Sequence, residues 1–261
     1  MPDGAQFAKN FKASAARVKK RLAAYLDDPG DEENVHAMRT SLRRLEAALS
    51  LLPKKERKKN KEQANAYRAF FRANSRVRDL DIVRARVAAL GGERFVSAVA
   101  GRRKVALGRA LAMARSVEKN NNKMQAVSAK NIDGDELAAR MDKVAGRLVR
   151  AIEERLPVVA GDGSKKEELH ELRKDMKKLR YVLEVLPSGR RKKHGKEVAR
   201  VIGGRSAIAR LKELQAMLGQ IRDCDITIEY LQGITGAEAI LQKEEDERNA
   251  LYEKFAKMVA G

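Results

Sequence analysis

Apolar residues recur along this chain at intervals of three and four positions, which is the period of an amphipathic α-helix, and strand-like alternation is almost absent. Only five prolines interrupt the pattern. Breaks fall at the Asp-Pro-Gly turn of 28–30, at Pro53 and at the glycine pair 91–92, and Asp31 is placed to cap the second helix. The pattern predicts four helices in this part of the chain, over 6–27, 31–53, 61–90 and 93–118.

The stretch 119–135 is polar, shows no apolar period and is predicted to be an interdomain linker. After it the helical pattern begins again over 136–156, 166–186, 196–231 and 237–259, and Ser164 and Glu167 have capping-box spacing. The basic run 190–194 is predicted to be a mobile loop that could extend a binding site, whereas the run 102–104 is equally well explained as solvated surface. The sequence therefore predicts an all-α fold with one four-helix bundle in 1–118 and another in 136–261.

The two halves repeat each other in sequence. Residues 35–53 align with 169–187 without a gap, so that His36 matches His170 and Pro53 matches Pro187. An Arg-Asp-x-Asp-Ile motif follows at 78–82 and again at 222–226, at a slightly larger offset that an insertion around 189–195 explains. One structural unit is therefore predicted to occur twice.

The charge balance narrows the choice of partners. The chain has 56 Lys plus Arg against 36 Asp plus Glu, a formal net charge of +20, which favours a polyanion such as nucleic acid, acidic lipid or polyphosphate. Five Tyr, six Phe and no Trp disfavour readers that stack single-stranded bases. The sequence has no apolar run long enough for a membrane span and no secretory signal, and its single Cys224 agrees with a reducing compartment, so we expect a cytoplasmic protein.

The second helix of each half separates into an apolar stripe and a cationic face at about 100° per residue. The apolar stripes are Met38, Leu42, Leu45 and Leu49, and Leu172, Met176, Leu179 and Leu183. The cationic faces are His36, Arg39 and Arg43, flanked by Arg44, and His170, Arg173, Lys174 and Lys177, flanked by Lys178. Like charges at these spacings cost a few tenths of a kcal/mol per pair, so either an anion compensates them or they are solvated faces. Each histidine fits a ligand contact or a packing role, and no metal-ligand spacing accompanies them.

The aspartates of the repeated motif point inward. Asp81 and Asp225 fall within the apolar stripes of their helices, and a buried carboxylate needs a partner. We expect each to accept hydrogen bonds from an Arg, Lys or His of the adjacent second helix. The pair would either brace the ligand-binding residues or serve as a purely structural ion pair.

These motifs resemble the two signature helices of the CHAD family, the conserved histidine α-helical domain. The likeness rests on His36-x-x-Arg39 with Arg43-Arg44-Leu45, on residues 169–181, and on both Arg-Asp-x-Asp motifs, and it covers nearly the whole chain. The resemblance implies two four-helix bundles related by pseudo-twofold symmetry, with a basic surface and central cavity that bind inorganic polyphosphate. Glu46 stands where many relatives carry an Arg matching Arg180, which implies a weaker hold in the first half. With no strand-rich segment and no Glu-x-Glu-x-Lys motif, the chain resembles a stand-alone CHAD module.

The sequence thus predicts a non-catalytic polyphosphate-binding protein without cofactor or metal, located in the cytoplasm, and leaves open whether it associates with polyphosphate granules. The predicted binding residues are Arg21, His36, Arg39, Arg43, Arg44, Arg155, His170, Arg173, Lys174, Lys177, Lys178 and Arg180, supported by Asp81, Asp225, Arg78 and Arg222. The alternatives are a nucleic-acid-binding protein and, less favoured, a metal-dependent phosphohydrolase that uses the aspartates and histidines; a membrane adaptor ranks last. Oligomeric state, polyphosphate length and biological process stay open.

Overall fold

The computed structural model of the protein describes residues 2–120, 132–204 and 206–260. Within these residues it contains ten helices and no strand, which confirms the predicted all-α fold. The helices are α1 (Pro2–Asp27), α2 (Glu32–Leu51), α3 (Lys54–Lys59), α4 (Lys61–Ala89), α5 (Glu93–Asn120), α6 (Gly134–Ala160), α7 (Lys166–Val185), α8 (Ser188–Ile202), α9 (Ala207–Leu231) and α10 (Glu238–Ala260).

The order of the helices repeats between the two halves of the chain. The counterparts α2 and α7 each span 20 residues, and each is followed by a proline and a shorter helix, α3 or α8. Two long helices then complete each half. This order is compatible with the duplicated bundles that the sequence predicts.

Several predicted helix ends are confirmed. Asp31 caps α2, since its side chain accepts a hydrogen bond from the Glu33 N–H, and α4 begins at Lys61 and α5 at Glu93. Other details differ. The short helix α3 was not predicted because its sequence, Lys-Lys-Glu-Arg-Lys-Lys, has no apolar period, and α6 continues past Pro157, beyond the end predicted at 156.

The capping box predicted at Ser164 is wrong. The Ser164 hydroxyl donates to the Asp162 carboxylate at 2.6 Å, and the same carboxylate accepts the Ser164 backbone N–H at 2.8 Å. The helix α7 begins two residues later, at Lys166. Asp162 therefore shapes the loop that precedes this helix.

The helix predicted over 196–231 is two helices. Gly203 and Gly204 have φ of 73° and 89°, a left-handed conformation that ends α8 before α9 begins. The basic run 190–194 lies inside α8, so the loop prediction is wrong. Arg190 is bound by the carboxylates of Asp3 and Asp142 at 3.0 and 2.9 Å, which holds the start of α8 in place.

The chain divides into two compact units, each of which combines segments of both halves. Among the described residues, the first unit comprises 2–78, 103–120, 132–146 and 181–192, and the second comprises 79–102, 147–180, 193–204 and 206–260. The predicted linker falls largely outside the described residues. The division into one bundle per half stays a prediction.

Each unit has its own apolar core. In the first unit α1 packs against α2, Met38, Leu42 and Leu45 are at most 3% exposed, and Tyr25 meets Phe70 edge-on at 5.4 Å. In the second unit α9 packs against α10, and Leu172, Met176 and Leu179 are fully buried. The predicted apolar stripes of α2 and α7 are thus confirmed as core. In the described parts of the chain, every helix is too short or too polar to cross a membrane.

The end of α4 belongs to the second unit and is bound there by α10. The Arg86 guanidinium donates to the fully buried Glu244 carboxylate at 2.9 Å and to Glu247 at 2.9 Å. A hydrogen bond of 3.2 Å also joins Arg86 to the sulfur of Cys224 on α9. Residues far apart in sequence therefore complete this core.

Candidate functional site

The cationic face of α2 lies against one aromatic ring of α4. The guanidinium carbons of Arg39 and Arg43 each lie 5.0 Å from the centroid of the Phe71 ring, within cation–π distance. Both arginines are half-buried, and His36, one turn earlier, is exposed. The three residues predicted to share a face thus follow one side of α2, and its two arginines are held by the same ring.

Arg44, predicted to flank this face, is engaged differently. Its Nε donates to the Glu184 carboxylate at 3.1 Å, and its guanidinium lies 5.8 Å from the ring centroid of Tyr181. Both partners belong to the last part of α7, which lies in the first unit. Arg44 therefore also joins α2 to α7 inside that unit.

The cationic face of α7 lies in the second unit. His170, Arg173 and Lys177 are half-buried, as is the flanking Lys178. Arg173 lies over Gly219 of α9, where an added methyl group would stand 3.9 Å from a guanidinium nitrogen. Lys174 is more exposed and forms an ion pair with Glu171, three residues earlier. Glu171 therefore balances the charge of Lys174 on this face.

The positive charges of this face affect the pKa of His170. Burial lowers the pKa of the imidazole below its ordinary value of 6.5, and the positive charges of Arg222 and Lys174 lower it further. Its Nδ1 is buried and makes no hydrogen bond to any residue that the structure describes. The imidazole is consequently neutral near pH 7. Its surroundings are positively charged, and a bound anion would counter that charge and favour the protonated form.

The two halves differ at the position where the sequence pairs Glu46 with Arg180. Glu46 accepts from Arg68 Nε at 3.2 Å, so its negative charge is balanced within the first unit. Arg180 donates through Nε to the Gln215 side chain at 2.9 Å. Both residues thus engage the third long helix of their own half, α4 or α9.

The first helices contribute unequally. Arg155 of α6 forms an ion pair with Asp175 of α7, whereas Arg21 of α1 is exposed. Burial raises the pKa of Asp175, against the opposing effect of Arg155. Arg155 is therefore in direct contact with the helix that carries the second cationic face.

One of the two motif aspartates, Asp225, forms a buried ion pair. It is 6% exposed, which confirms that it points inward. Its partner is Arg248 of α10, whose Nε donates to Oδ1 at 2.7 Å, and not a residue of α7, so that part of the prediction is wrong. The Arg248 guanidinium reaches Asp225 from α10 and places a positive charge beside its carboxylate. A terminal nitrogen of the same guanidinium donates to the Gly163 carbonyl at 2.9 Å. Asp81 is also buried, at 1% exposed.

The arginines of the two motifs form ion pairs of their own. Arg78 lies 3.7 Å from the Glu32 carboxylate, at the start of α2. Arg222 lies 3.5 Å from Glu229, two turns along α9, and also faces His170. Arg78 thus contacts the base of the first cationic face, and Arg222 contributes to the field of the second.

The sequence analysis missed the contact of Arg103 with the loop before α2. It is half-buried and donates to the Gly30 carbonyl at 3.0 Å, as Arg248 does to the Gly163 carbonyl. Both carbonyls belong to the loop that precedes the signature helix of their half. The repeat itself carried the signal, because Arg103 and Arg248 lie ten residues after Glu93 and Glu238, the first residues of α5 and α10.

The described residues offer little for covalent or metal chemistry. They contain no group of three or more His, Cys, Asp or Glu side chains arranged to hold a metal ion. Burial raises the pKa of the Cys224 thiol to about 12, so the sulfur is protonated and unreactive at neutral pH. What the two faces share chemically is the repeated spacing of their cationic side chains.

Comparison with known proteins agrees with the resemblance seen in the sequence. The sequence model of the CHAD domain matches residues 9–232. The crystal structure of the CHAD domain from the plant Ricinus communis is similar, with a TM-score of 0.60 and 17% identity over 99% of this chain and 92% of that one, a likeness that concerns the fold. No curated protein matches the chain significantly.

Proposed function

Because the chain belongs to the CHAD domain family, we propose that it binds inorganic polyphosphate through the cationic faces of α2 and α7 and catalyses no reaction. The observation that carries the proposal is the same spacing of cations on two helices, His36, Arg39 and Arg43 on α2 and their counterparts on α7. Holding like charges together is unfavourable, and a linear polyanion would offset that cost on both helices.

The arginines of these faces suit phosphate. Arg39, Arg43 and Arg173 each present a planar fork that matches two phosphate oxygens, whereas Lys177 supplies a point charge. A ligand without sequence needs no base-reading contacts, so the mixed use of Arg and Lys between the halves is acceptable.

The aromatic rings beside these faces favour polyphosphate over nucleic acid. Phe71 is contacted by Arg39 and Arg43, and Tyr181 by Arg44. A guanidinium that lies against a ring occupies a face on which a base would otherwise stack. Nucleic acid remains the rival that the experiment must exclude.

The test is a titration with long-chain polyphosphate at two ionic strengths. A variant with Arg39→Ala, Arg43→Ala, Arg173→Ala and Lys177→Ala should lose at least tenfold in affinity, and the slope of log K against log salt should become shallower by about 0.7–0.9 per lost contact. The matched control removes four exposed cations of α5, through Lys104→Ala, Arg109→Ala, Arg115→Ala and Lys119→Ala. It should retain most of the affinity.

Three results would count against the proposal. Equal losses in the variant and in the control would mean that net charge alone binds the ligand. Displacement of polyphosphate by structured RNA or duplex DNA at equal phosphate concentration and matched salt would favour the nucleic-acid reading, and release of free phosphate would favour an enzyme. We further propose that the protein is cytoplasmic and gathers on polyphosphate granules, which a fluorescent fusion would test in cells.

A further inference from the structure

We infer that Phe71 is a positioning residue of the first cationic face, whose ring holds Arg39 and Arg43 together in the orientation that receives phosphate. This inference rests on the proposed polyphosphate binding and deepens it. The residue lies on α4, outside both signature helices.

The geometry brings two like charges to one ring. Arg39 and Arg43 are one turn apart on α2, a spacing at which two cations repel each other. Both guanidinium carbons lie 5.0 Å from the Phe71 centroid. The separation between the two carbons is therefore at most twice this distance. The negative potential over the ring face attracts both cations, and it thereby opposes the repulsion that would otherwise spread them.

A ring holds a guanidinium in a way that suits anion binding. It attracts the plane of the group and does not use the N–H donors along its edge, whereas a carboxylate accepts from those donors and neutralises the charge. The Phe71 ring lies against the guanidinium groups of both Arg39 and Arg43, and this contact limits their rotamer freedom before a ligand arrives.

The second half uses another arrangement at this position. The offset that aligns Val77 with Ile221 places Gln215 opposite Phe71, and Gln215 accepts a hydrogen bond from Arg180. The aromatic support is therefore a feature of the first half. It compensates there for the arginine that the first half lacks at Glu46.

The test compares Phe71→Leu with Phe71→Tyr. Phe71→Leu keeps every charge, so we expect about three- to tenfold weaker polyphosphate binding, from the energy of one or two cation–π contacts, with an unchanged salt slope. Phe71→Tyr keeps the ring face and should restore the affinity. The control is Phe95→Leu on α5, which removes a ring whose centroid lies 4.6 Å from the Arg94 guanidinium carbon. This variant should bind like the wild type.

A double-mutant cycle separates positioning from general damage to the fold. In a background of Arg39→Ala and Arg43→Ala, Phe71→Leu should weaken binding no further, because the residues that it positions are gone. A loss that persists in that background would overturn the inference. So would normal binding by Phe71→Leu while the arginine variant is weakened, a result that would leave polyphosphate binding intact. Failure of the wild type to bind polyphosphate would instead reject the proposed function itself.

Discussion

At the scale of single residues, the proposed polyphosphate binding should depend on pH through the charge state of His170. Burial and the cations Arg222, Lys174 and Arg173 lower its pKa, and Glu167 opposes them. A bound phosphate chain would raise this pKa, so binding should take up a proton at pH values between the free and the bound pKa. We expect the affinity of the wild type to increase from pH 8 to pH 6 by a larger factor than that of His170→Gln, as measured by titration calorimetry in two buffers of different ionisation enthalpy.

For folding, the same shift has the opposite consequence. The pKa of His170 in the folded protein lies below 6.5, so the unfolded chain binds the proton more readily. The free energy of unfolding therefore falls as the pH drops from about 6.5 through the folded-state pKa. His170→Gln should therefore lose less stability between pH 7 and pH 5 than the wild type. Identical pH profiles of binding for the two proteins would remove His170 from the binding site.

The buried ion pair between Arg248 and Asp225 is the residue-scale feature on which the second unit should depend most. Both side chains are 6% exposed, and Asp225→Ala would leave Arg248 buried without its counter-ion. We expect a loss of about 3–5 kcal/mol in the free energy of unfolding, measured with urea. Glu229→Ala on the same helix breaks the exposed pair with Arg222 and should cost no more than about 1 kcal/mol. A similar small loss in both variants would show that Asp225 is dispensable for the fold.

At the scale of the helices, two kinds of glycine should respond in opposite directions to alanine. Gly203 has a φ of 73° and no neighbour that an added methyl would meet, so only backbone strain opposes Gly203→Ala, with a cost of about 1 kcal/mol. Gly101 is exposed inside α5, also without a neighbour. Gly101→Ala should stabilise by about 0.5–1 kcal/mol. Thermal unfolding measures both, and stabilisation by Gly203→Ala would mean that the break between α8 and α9 is not maintained by this glycine.

The helices were largely predictable because their signals are local. The apolar period placed α2, α4 and α5, and the Asp31 cap and Pro53 marked the ends of α2. The break at Gly203 was missed although its signals are in the sequence, since a glycine pair like that at 91–92 stands at 203–204 and Ser206 caps α9. The helix α3 was missed because its charged sequence has no apolar period, although its Glu56 is buried.

The sequence predicted which side chains share the cationic faces, but not which residues of other helices contact the site. The repeat located the cationic faces, and helical geometry correctly put Arg39 and Arg43 on one side of α2. It could not provide Phe71 or Arg248, since these lie on other helices, and which helices meet is decided by packing. A pattern within one helix carries no information about its neighbour.

At the scale of the whole molecule, the interleaved units predict that the halves depend on each other. Arg86 of α4 is bound by Glu244 of α10, and Arg102 of α5 lies 4.9 Å from the Tyr230 ring of α9. Fragments 1–120 and 121–261, expressed separately, should therefore lack cooperative thermal transitions, and they should regain one when co-expressed. Circular dichroism and co-purification measure this. Two fragments that each unfold cooperatively as monomers would support one independent bundle per half.

Interleaving also sets the order in which the protein can mature during synthesis. The first unit includes residues 181–192 and the second includes α10, so neither can be completed while only the first half has left the ribosome. Until then the last part of α4, which α10 binds in the finished protein, lacks its partner. A nascent chain of this kind spends much of its translation time incompletely folded, and with many exposed lysines and arginines, its charge rather than early folding would keep it in solution.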